Sequence, residues 1–388
     1  MKTIMVLNLG STSFKFKLFD MDLKCPQVGS GSVDAIGSGK SILKVKAGLL
    51  SEETILDCPT HGDAFQMCME RLYSSNVLKD LSSLDAVGYK AVLAGEVSGP
   101  QVVDAALLEK MEQYVTLAPA HNPVYISMMR QMMQMCPKLP QYACFETGFH
   151  STIPLKRASY GVPHEWRNWG VRRYGFHGAS HSYIAWKTHE MFPESRRVIS
   201  CHLGGSSSVC AILDGKSIFT SMGATPQSGL FQNNRVGDID FFTLPLLIKK
   251  LGSVDNVLAA LSKESGLQGL SGVSNDMREV NRAAEAGDEN AQIAIDAFAD
   301  NVTGYIGMET AYLEGLDLIA FTGGIGQHSA MIRQKVLKPL AYLGLKLDEE
   351  ANEEGREIIS TSESRVKVVV LETDEEIMIA RQVAQCLS

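Results

Sequence analysis

Ile199-Ser200-Cys201-His202-Leu203-Gly204-Gly205-Ser206-Ser207-Ser208-Val209 runs an apolar strand into small, hydroxyl-bearing residues and out again along a second strand. Near the start of the chain, Val6-Leu7-Asn8-Leu9-Gly10-Ser11-Thr12-Ser13-Phe14-Lys15 repeats the design. A turn free of bulky side chains lets backbone N–H groups and short hydroxyls converge on phosphate oxygens, and glycine supplies the positive φ that tight loops need. One such turn more often does nothing but close a hairpin. Two copies, separated by about half the chain, point to two related α/β domains facing each other across a cleft, with a nucleotide's phosphate chain between them.

The patterning around both turns agrees with alternating sheet and helix. Phe14 to Phe19 largely alternates apolar and polar residues, so the chain opens on a β-hairpin. Apolar residues recur at three-to-four spacing from His61 to about Asp85 and from Val103 to Tyr114, predicting helices before and after a strand around Val87 to Val92. A strand at Tyr142 to Phe145 ends at Glu146-Thr147-Gly148-Phe149-His150, and Pro154 follows where a linker fits. The second half repeats the plan with Val198 to Leu213, a type I′ turn at Asp214-Gly215 and a strand through Thr220. A long helix is expected over Asn290 to Leu313. Next, Asp317 to Thr322 reads as a strand delivering the turn Gly323-Gly324-Ile325-Gly326, with Ser329 capping a helix that begins near Met331. Val366 to Leu371 reads as a strand, and Thr373-Asp374-Glu375-Glu376 opens a last helix.

Size and composition bound the function. A chain of 388 residues accommodates two full hydrophobic cores, and 45% apolar with 21% charged residues is ordinary for a globular protein. A net charge of −8 gives no global attraction to nucleic acid or to an anionic membrane, so any anion site is local. The eight cysteines (25, 58, 68, 136, 144, 201, 210 and 386) show neither a C-x-x-C pair nor zinc-ligand spacing and read as reduced thiols. With no signal-peptide core and no run of spanning length, the cytoplasm is the expected location.

Two strings concentrate chemistry. In Arg173-Tyr174-Gly175-Phe176-His177-Gly178-Ala179-Ser180-His181, two histidines four apart raise metal ligation. Gly175 and Gly178 are expected to break a helix there and no carboxylate is near in sequence, which favours a loop presenting His177 to a charged substrate. A structural histidine satisfied by the backbone is the bland alternative. Phe231-Gln232-Asn233-Asn234-Arg235-Val236-Gly237-Asp238-Ile239-Asp240 sets an arginine in a polar loop after Ser221 to Pro226. A guanidinium holds two phosphoryl oxygens at once, which suits a transition state with charge spread over equatorial oxygens; a surface salt bridge is the bland reading of Arg235.

With these strings in view the chain resembles the acetate kinases, members of the superfamily that includes sugar kinases, actin and a heat-shock chaperone ATPase. Asn8 to Lys15, Ala118 to Pro123, Phe145 to His150, Arg173 to His181, His202 to Ser208, Ser221 to Asp240, Thr322 to Ser329 and Thr373 to Arg381 fall in that family's order and spacing, over nearly the whole chain. The resemblance implies two duplicated actin-like (ribonuclease H-like) α/β domains with an interdomain cleft. An acyl-side domain is expected over residues 1–150 with a returning helix at 375–388, and a nucleotide-binding and dimerisation domain over 151–374. It implies reversible transfer of the ATP γ-phosphoryl group to a short-chain carboxylate, acetate or propionate, with Mg²⁺, in a homodimer. Carried over by position, His177 and Arg235 stabilise the transferring phosphoryl group, His121 lines the same pocket and Glu146 takes the place of a catalytic aspartate. Asn8 and Glu375 match the magnesium site and Lys15 a phosphate contact. His202, Leu203, Gly204, Gly205 and Ser206, then Asp276, Met277 and Arg278, then Gly324, Ile325, Gly326, Gln327 and His328 match nucleotide-binding segments.

Departures cluster at the chemistry. Gly88 to Gly95 replaces the family's Gly-His-Arg-Val-Val-His-Gly-Gly, so Lys90 stands where an arginine grips the substrate carboxylate, and lysine lacks the bidentate fork. Glu146 is one methylene longer than the family's aspartate, so a shorter cation faces a longer anion. Ala120 replaces a leucine beside the acetyl methyl, and with Val92, Phe176 and Pro226 it implies a wider pocket. Gly205-Ser206 and Gln327-His328 replace Asn-Gly and Glu-Asn in the nucleotide loops. Beside the acetate or propionate kinase reading stand two others: an acyl kinase with a larger acceptor or altered phosphoryl donor, and a nucleotide-binding paralogue impaired in transfer.

Overall fold

Two antiparallel hairpins found the protein's two sheets. The structure, a computed structural model, describes residues 2–23, 26–119 and 121–387; Ala120 and Cys25, both singled out in the sequence, lie outside the described residues. The chain divides into two compact units, Met1–Phe149 with Asp374–Ser388, and His150–Thr373.

In the first unit the strands are β1 (Thr3–Leu9), β2 (Ser13–Asp20), β3 (Gln27–Asp34), β4 (Ser41–Ala47), β5 (Leu50–Leu56), β6 (Ala86–Ala91), β7 (Pro100–Val102) and β8 (Gln141–Phe145). They lie in the order β5-β4-β3-β2-β1-β6-β8-β7. The second unit holds β9 (Arg197–Leu203), β10 (Ser207–Leu213), β11 (Lys216–Thr220), β12 (Leu318–Thr322) and β13 (Lys367–Val370), in the order β11-β10-β9-β12-β13. The segment β3-β2-β1-β6-β8 has the same order and directions: two antiparallel pairings, then two parallel ones. The duplication seen in the turns is therefore a duplication of topology.

Each unit has its own core. Met5, Leu7 and Leu9 of β1 join a cluster with Phe65, Cys68 and Leu72 of the helix His61–Ser74. On the other side of the sheet the last helix, Glu375–Cys386, packs on β1 and β6. Gly88 makes that approach possible, since a Cβ there would lie 2.9 Å from Ile379 Cγ2 and 3.1 Å from Val383 Cγ2. In the second unit the helix Glu289–Leu313 buries Ala294, Phe298, Val302 and Ile306 against β9 and β10.

Three expectations are corrected. The helix predicted from His61 to about Asp85 ends at Ser74, because Asn76 adopts a left-handed conformation (φ 59°), and only a 3₁₀ turn follows at Leu81–Ser83. Gly178 starts a helix (Gly178–Met191) instead of breaking one, with left-handed His177 (φ 58°) just before it, so His181 is helical. The segment expected as a glycine turn after Thr322 is a short helix, Gly323–His328; Ser329 then caps Ala330–Leu337 by accepting a hydrogen bond from Ile332 N. Elsewhere, Asp214 and Gly215 both have positive φ (50° and 76°), as a type I′ turn requires.

Candidate active site

The parallel strands of the first unit end side by side, and open α/β sheets bind ligands beyond such carboxyl ends. Asn8 lies near the end of β1, Lys90 near the end of β6 and Glu146 directly after β8, its N–H bonded to Ala91 O at 2.8 Å. The last helix brings its acidic first turn to the same place. Lys90 Nζ contacts the Glu375 carboxylate and lies 3.4 Å from Glu146 Oε1. Burial disfavours the ammonium charge, but the Glu146 and Glu375 carboxylates outweigh it and hold the Lys90 pKa well above its ordinary value. Beside this triad, Asn8 Nδ2 donates to Glu376 Oε1 (3.0 Å), and Lys17 Nζ pairs with Asp374 (2.9 Å) and Glu376 (3.4 Å). Leu9 N–H donates to the buried Tyr125 hydroxyl (2.8 Å), tying the end of β1 to the helix Asn122–Met135. His121 is the residue preceding that helix, and Asn122 fixes its start by donating to Leu93 O and Met111 O, both at 2.9 Å. Val92 is half-buried just past β6, whereas Lys15, opposite Asn8 in the hairpin, is exposed.

In the second unit the turn Gly204-Gly205-Ser206 between β9 and β10 is the meeting point. His177 Nδ1 lies 2.9 Å from Ser208 Oγ, and its ring stacks on His202 at 4.2 Å between centroids. Arg235 Nη1 donates to Ser206 Oγ (3.1 Å) and to Gln232 Oε1 (3.2 Å), while Ser206 Oγ donates to the same Gln232 oxygen (2.8 Å). Arg235 is therefore anchored on the glycine-serine turn itself, and His177 on the two strands that flank it, at His202 of β9 and Ser208 of β10. Because β9 and β12 are parallel neighbours, with His202 opposite Thr322, the Gly323–His328 helix starts beside this turn. A Cβ on Gly204 would lie 3.6 Å from Gly324 N. Gly323 has φ 76°, and a Cβ there would strike the Leu203 backbone at 2.6 Å, so only glycine fits. Asp276 opens the helix Met277–Glu285; Met277 is buried, and the exposed Arg278 folds back onto Asp276 at 2.6 Å. Phe176 is buried with its carbonyl 2.8 Å from His150 Nε2, and Pro226 O accepts from Gln232 Nε2 (2.7 Å).

A sequence profile described as the acetokinase family matches residues 3–381. This chain belongs to that family. It is 39% identical to the acetate kinase of Shouchella clausii, with both chains covered in full. Among solved structures, the acetate kinase of Porphyromonas gingivalis superposes with a TM-score of 0.90 at 34% identity, covering 100% of each chain. A propionate kinase of Francisella tularensis superposes with a TM-score of 0.91 at 36% identity, covering 98% of this chain and 99% of its own. The two sheets are accordingly the paired actin-like α/β domains of the acetokinases. Among the described residues, no helix is long and apolar enough to cross a membrane.

Some groups around the acetokinase motifs were not legible as participants. Gln232 is fully buried and binds both Arg235 and Ser206, although the sequence shows only one amide in a polar loop. Arg333, 1% exposed, donates to Gly326 O (2.9 Å), Gln327 O (2.7 Å) and Asn352, holding the carbonyl end of the short glycine helix. Lys17 and Glu376 brace Asn8; the acidic run at 374–376 was the available signal.

Proposed function

We propose that this chain transfers the γ-phosphoryl group of ATP to a short-chain carboxylate, acetate or propionate, giving an acyl phosphate and ADP, and runs the reverse reaction. The observation that supports this most is the anchoring of His177 and Arg235 on one hairpin, His177 on its strands β9 and β10 and Arg235 on the glycine-serine turn between them. Phosphoryl transfer needs positioned donors around a spread negative charge more than covalent chemistry. In this reading the Arg235 guanidinium and the His177 imidazole donate to the equatorial oxygens. Backbone N–H groups of Gly204 to Ser206 and Gly324 to Gly326 hold the phosphate chain, and Asp276 to Arg278 with Gln327 and His328 flank the adenosine. Lys15 adds a phosphate contact. The unit with the acidic helix turn is then the acyl side, where Lys90 offers a point charge to the acceptor carboxylate and His121 and Val92 line its pocket. An acid with a pKa near 4–5 is already ionised at pH 7, so the acceptor needs no strong base.

Magnesium fits the chemistry of the first unit. Asn8, Glu375 and Glu146 offer hard oxygen donors, and among the described residues no group of three or more His, Cys, Asp or Glu is arranged to hold a metal alone. That suits an ion bound by one or two carboxylates together with nucleotide phosphates. Bound there, Mg²⁺ would neutralise charge on the phosphate oxygens. Lys90, meanwhile, holds the Glu375 and Glu146 carboxylates together.

The homodimer is part of the proposal and falls on the second unit. The helix Leu244–Leu251 has no buried residue despite four leucines and an isoleucine, and Phe241, Phe242, Leu246 and Leu258 around it are exposed. Helices of that composition cover their apolar face against something. Sedimentation should give a dimer for the native chain and a monomer for Phe242→Glu with Leu246→Glu.

An acyl-hydroxamate assay with ATP, Mg²⁺ and acids of two to four carbons tests the activity. Product from acetate and propionate is expected, with propionate used at least as well. No hydroxamate from any acid would remove the proposal, and a steep preference for acetate would remove the wider pocket alone.

A further inference from the structure

His177 belongs to a longer line of hydrogen bonds. His181, four residues further on in the helix Gly178–Met191, lies with Nδ1 2.8 Å from Ser200 Oγ of β9 and Nε2 2.8 Å from Ser208 Oγ of β10. The same Ser208 Oγ is 2.9 Å from His177 Nδ1. Ser200, His181 and Ser208 are all 0% exposed, so water does not complete their bonding. The four side chains form one line, Ser200–His181–Ser208–His177.

Each hydroxyl has one hydrogen to give and each neutral imidazole one N–H. Two arrangements satisfy the three contacts and also use the Ser208 hydrogen: every hydrogen points toward His177, or every hydrogen points away from it; a Ser208 that accepted from both rings would leave its own buried O–H without an acceptor in the line. Ser200 decides between them. Among the described residues its hydroxyl has no hydrogen-bond partner except His181 Nδ1, so the outward arrangement leaves a buried O–H with no acceptor, the expensive case for any polar group. The inward arrangement uses every hydrogen: Ser200 O–H donates to His181 Nδ1, His181 Nε2–H to Ser208, and Ser208 O–H to His177 Nδ1. Burial, with His150 and His202 nearby, holds the His181 pKa well below the ordinary histidine value, so this ring passes on one hydrogen and not two.

We propose that Ser200, His181 and Ser208 are positioning residues that fix neutral His177 as its Nε2–H tautomer, so that the ring meets the phosphoryl group as a hydrogen-bond donor. A nitrogen that carries the proton has no lone pair with which to attack phosphorus, so His177 donates and does not become phosphorylated at Nε2. The inference rests on the part given to His177 above.

The test is ¹⁵N NMR of the full chain with labelled histidine, free of substrates and at about pH 8, above the ordinary histidine pKa; His177→Gln identifies the His177 signals. Shifts showing protonated Nε2 and bare Nδ1 are expected, and a ring protonated at Nδ1 would overturn the proposal without any variant. Ser200→Ala should shift the His177 signals toward the other tautomer and lower kcat roughly 10-fold, the ratio set by one ordinary hydrogen bond. KM values should change less than about 2-fold, as for an interaction made mainly in the transition state. Ser200→Thr, which keeps the hydroxyl, should restore both readouts. Unchanged shifts together with unchanged kcat in Ser200→Ala would also overturn the relay. Because the NMR readout needs no turnover, a chain without acyl kinase activity would strike the proposed function and leave the tautomer result standing.

Discussion

Replacing Lys90 by methionine removes the ammonium that faces Glu146 and Glu375 while keeping most of the side-chain volume. The three side chains are only 19%, 8% and 15% exposed, so solvent screens the loss poorly. At 3.4 Å the attraction to Glu146 alone is about 5 kcal/mol for an effective dielectric constant of about 20. The Glu375 contact is closer still, but desolvation of the three ions offsets much of the sum. Stripping one partner from such a cluster costs about 3–5 kcal/mol, because the remaining charges stay buried. At roughly 2–4 °C per kcal/mol for a unit of this size, the melting temperature of the first unit should fall by about 6–12 °C even at the low end. The loss should also depend on pH. In the variant one carboxylate takes up a proton in preference to facing the other charge, so its folded pKa lies above the unfolded value of about 4.3. Stability from such a group is fully present below the unfolded pKa and is lost as pH rises through the folded one. Scanning calorimetry of the full chain should therefore show a larger deficit at about pH 8 than at about pH 5.5. Adding Glu146→Gln should recover part of it. A fall of less than about 2 °C at both pH values would refute the reading of Lys90, Glu146 and Glu375 as a coupled buried cluster.

Arg235→Lys keeps the charge but loses the planar guanidinium, whose Nη1 is held by Ser206 and Gln232 and whose remaining N–H groups are free, among the described residues, for two phosphoryl oxygens, and kcat in the hydroxamate assay should drop on the order of 10²-fold; a drop below about 3-fold would remove Arg235 from the transition state. Glu309 is fully buried in the helix Glu289–Leu313, and burial, opposed only in part by Arg173, pushes its carboxyl pKa well above the ordinary value. Its stabilising contribution is thus complete below about pH 4.3 and declines as pH rises, so Glu309→Gln should flatten the fall in melting temperature toward alkaline pH; parallel melting curves for the two proteins would contradict this. Arg333→Met should cost about 3 kcal/mol by orphaning Gly326 O, Gln327 O and Asn352 and should raise KM for ATP more than KM for the acid; equal changes in both constants would argue that the contact holds only the fold.

The local elements were legible where one period ran undisturbed. The first hairpin, the helix over Glu289–Leu313 and the strand before Gly323 all follow from alternation or three-to-four spacing. Boundaries were lost where a single backbone angle decided them. Asn76 stops a helix whose apolar pattern continues past it, and the Gly323–His328 helix hides in residues whose composition reads as a turn. At Gly178 the helix penalty of glycine is outweighed because the residue sits at the first position, where the interior cost does not apply.

The candidate site divides differently, because its members were nameable from motifs and their partners were not. Lys90 and Glu146 face each other since β6 and β8 are parallel neighbours, and parallel neighbours are joined by crossovers whose course no local pattern records. Glu375 joins them only because the chain's last helix returns to the first sheet, and the depth of that return depends on Gly88. In sequence Gly88 is simply a glycine weakening a strand. In the fold it allows Ile379 and Val383 to come down on β6, and so sets where the acidic turn at Asp374, Glu375 and Glu376 meets Lys90, Lys17 and Asn8. A methyl group at Gly88 would have to displace that helix to fit, so a change remote from every charged group would disturb the charged cluster first.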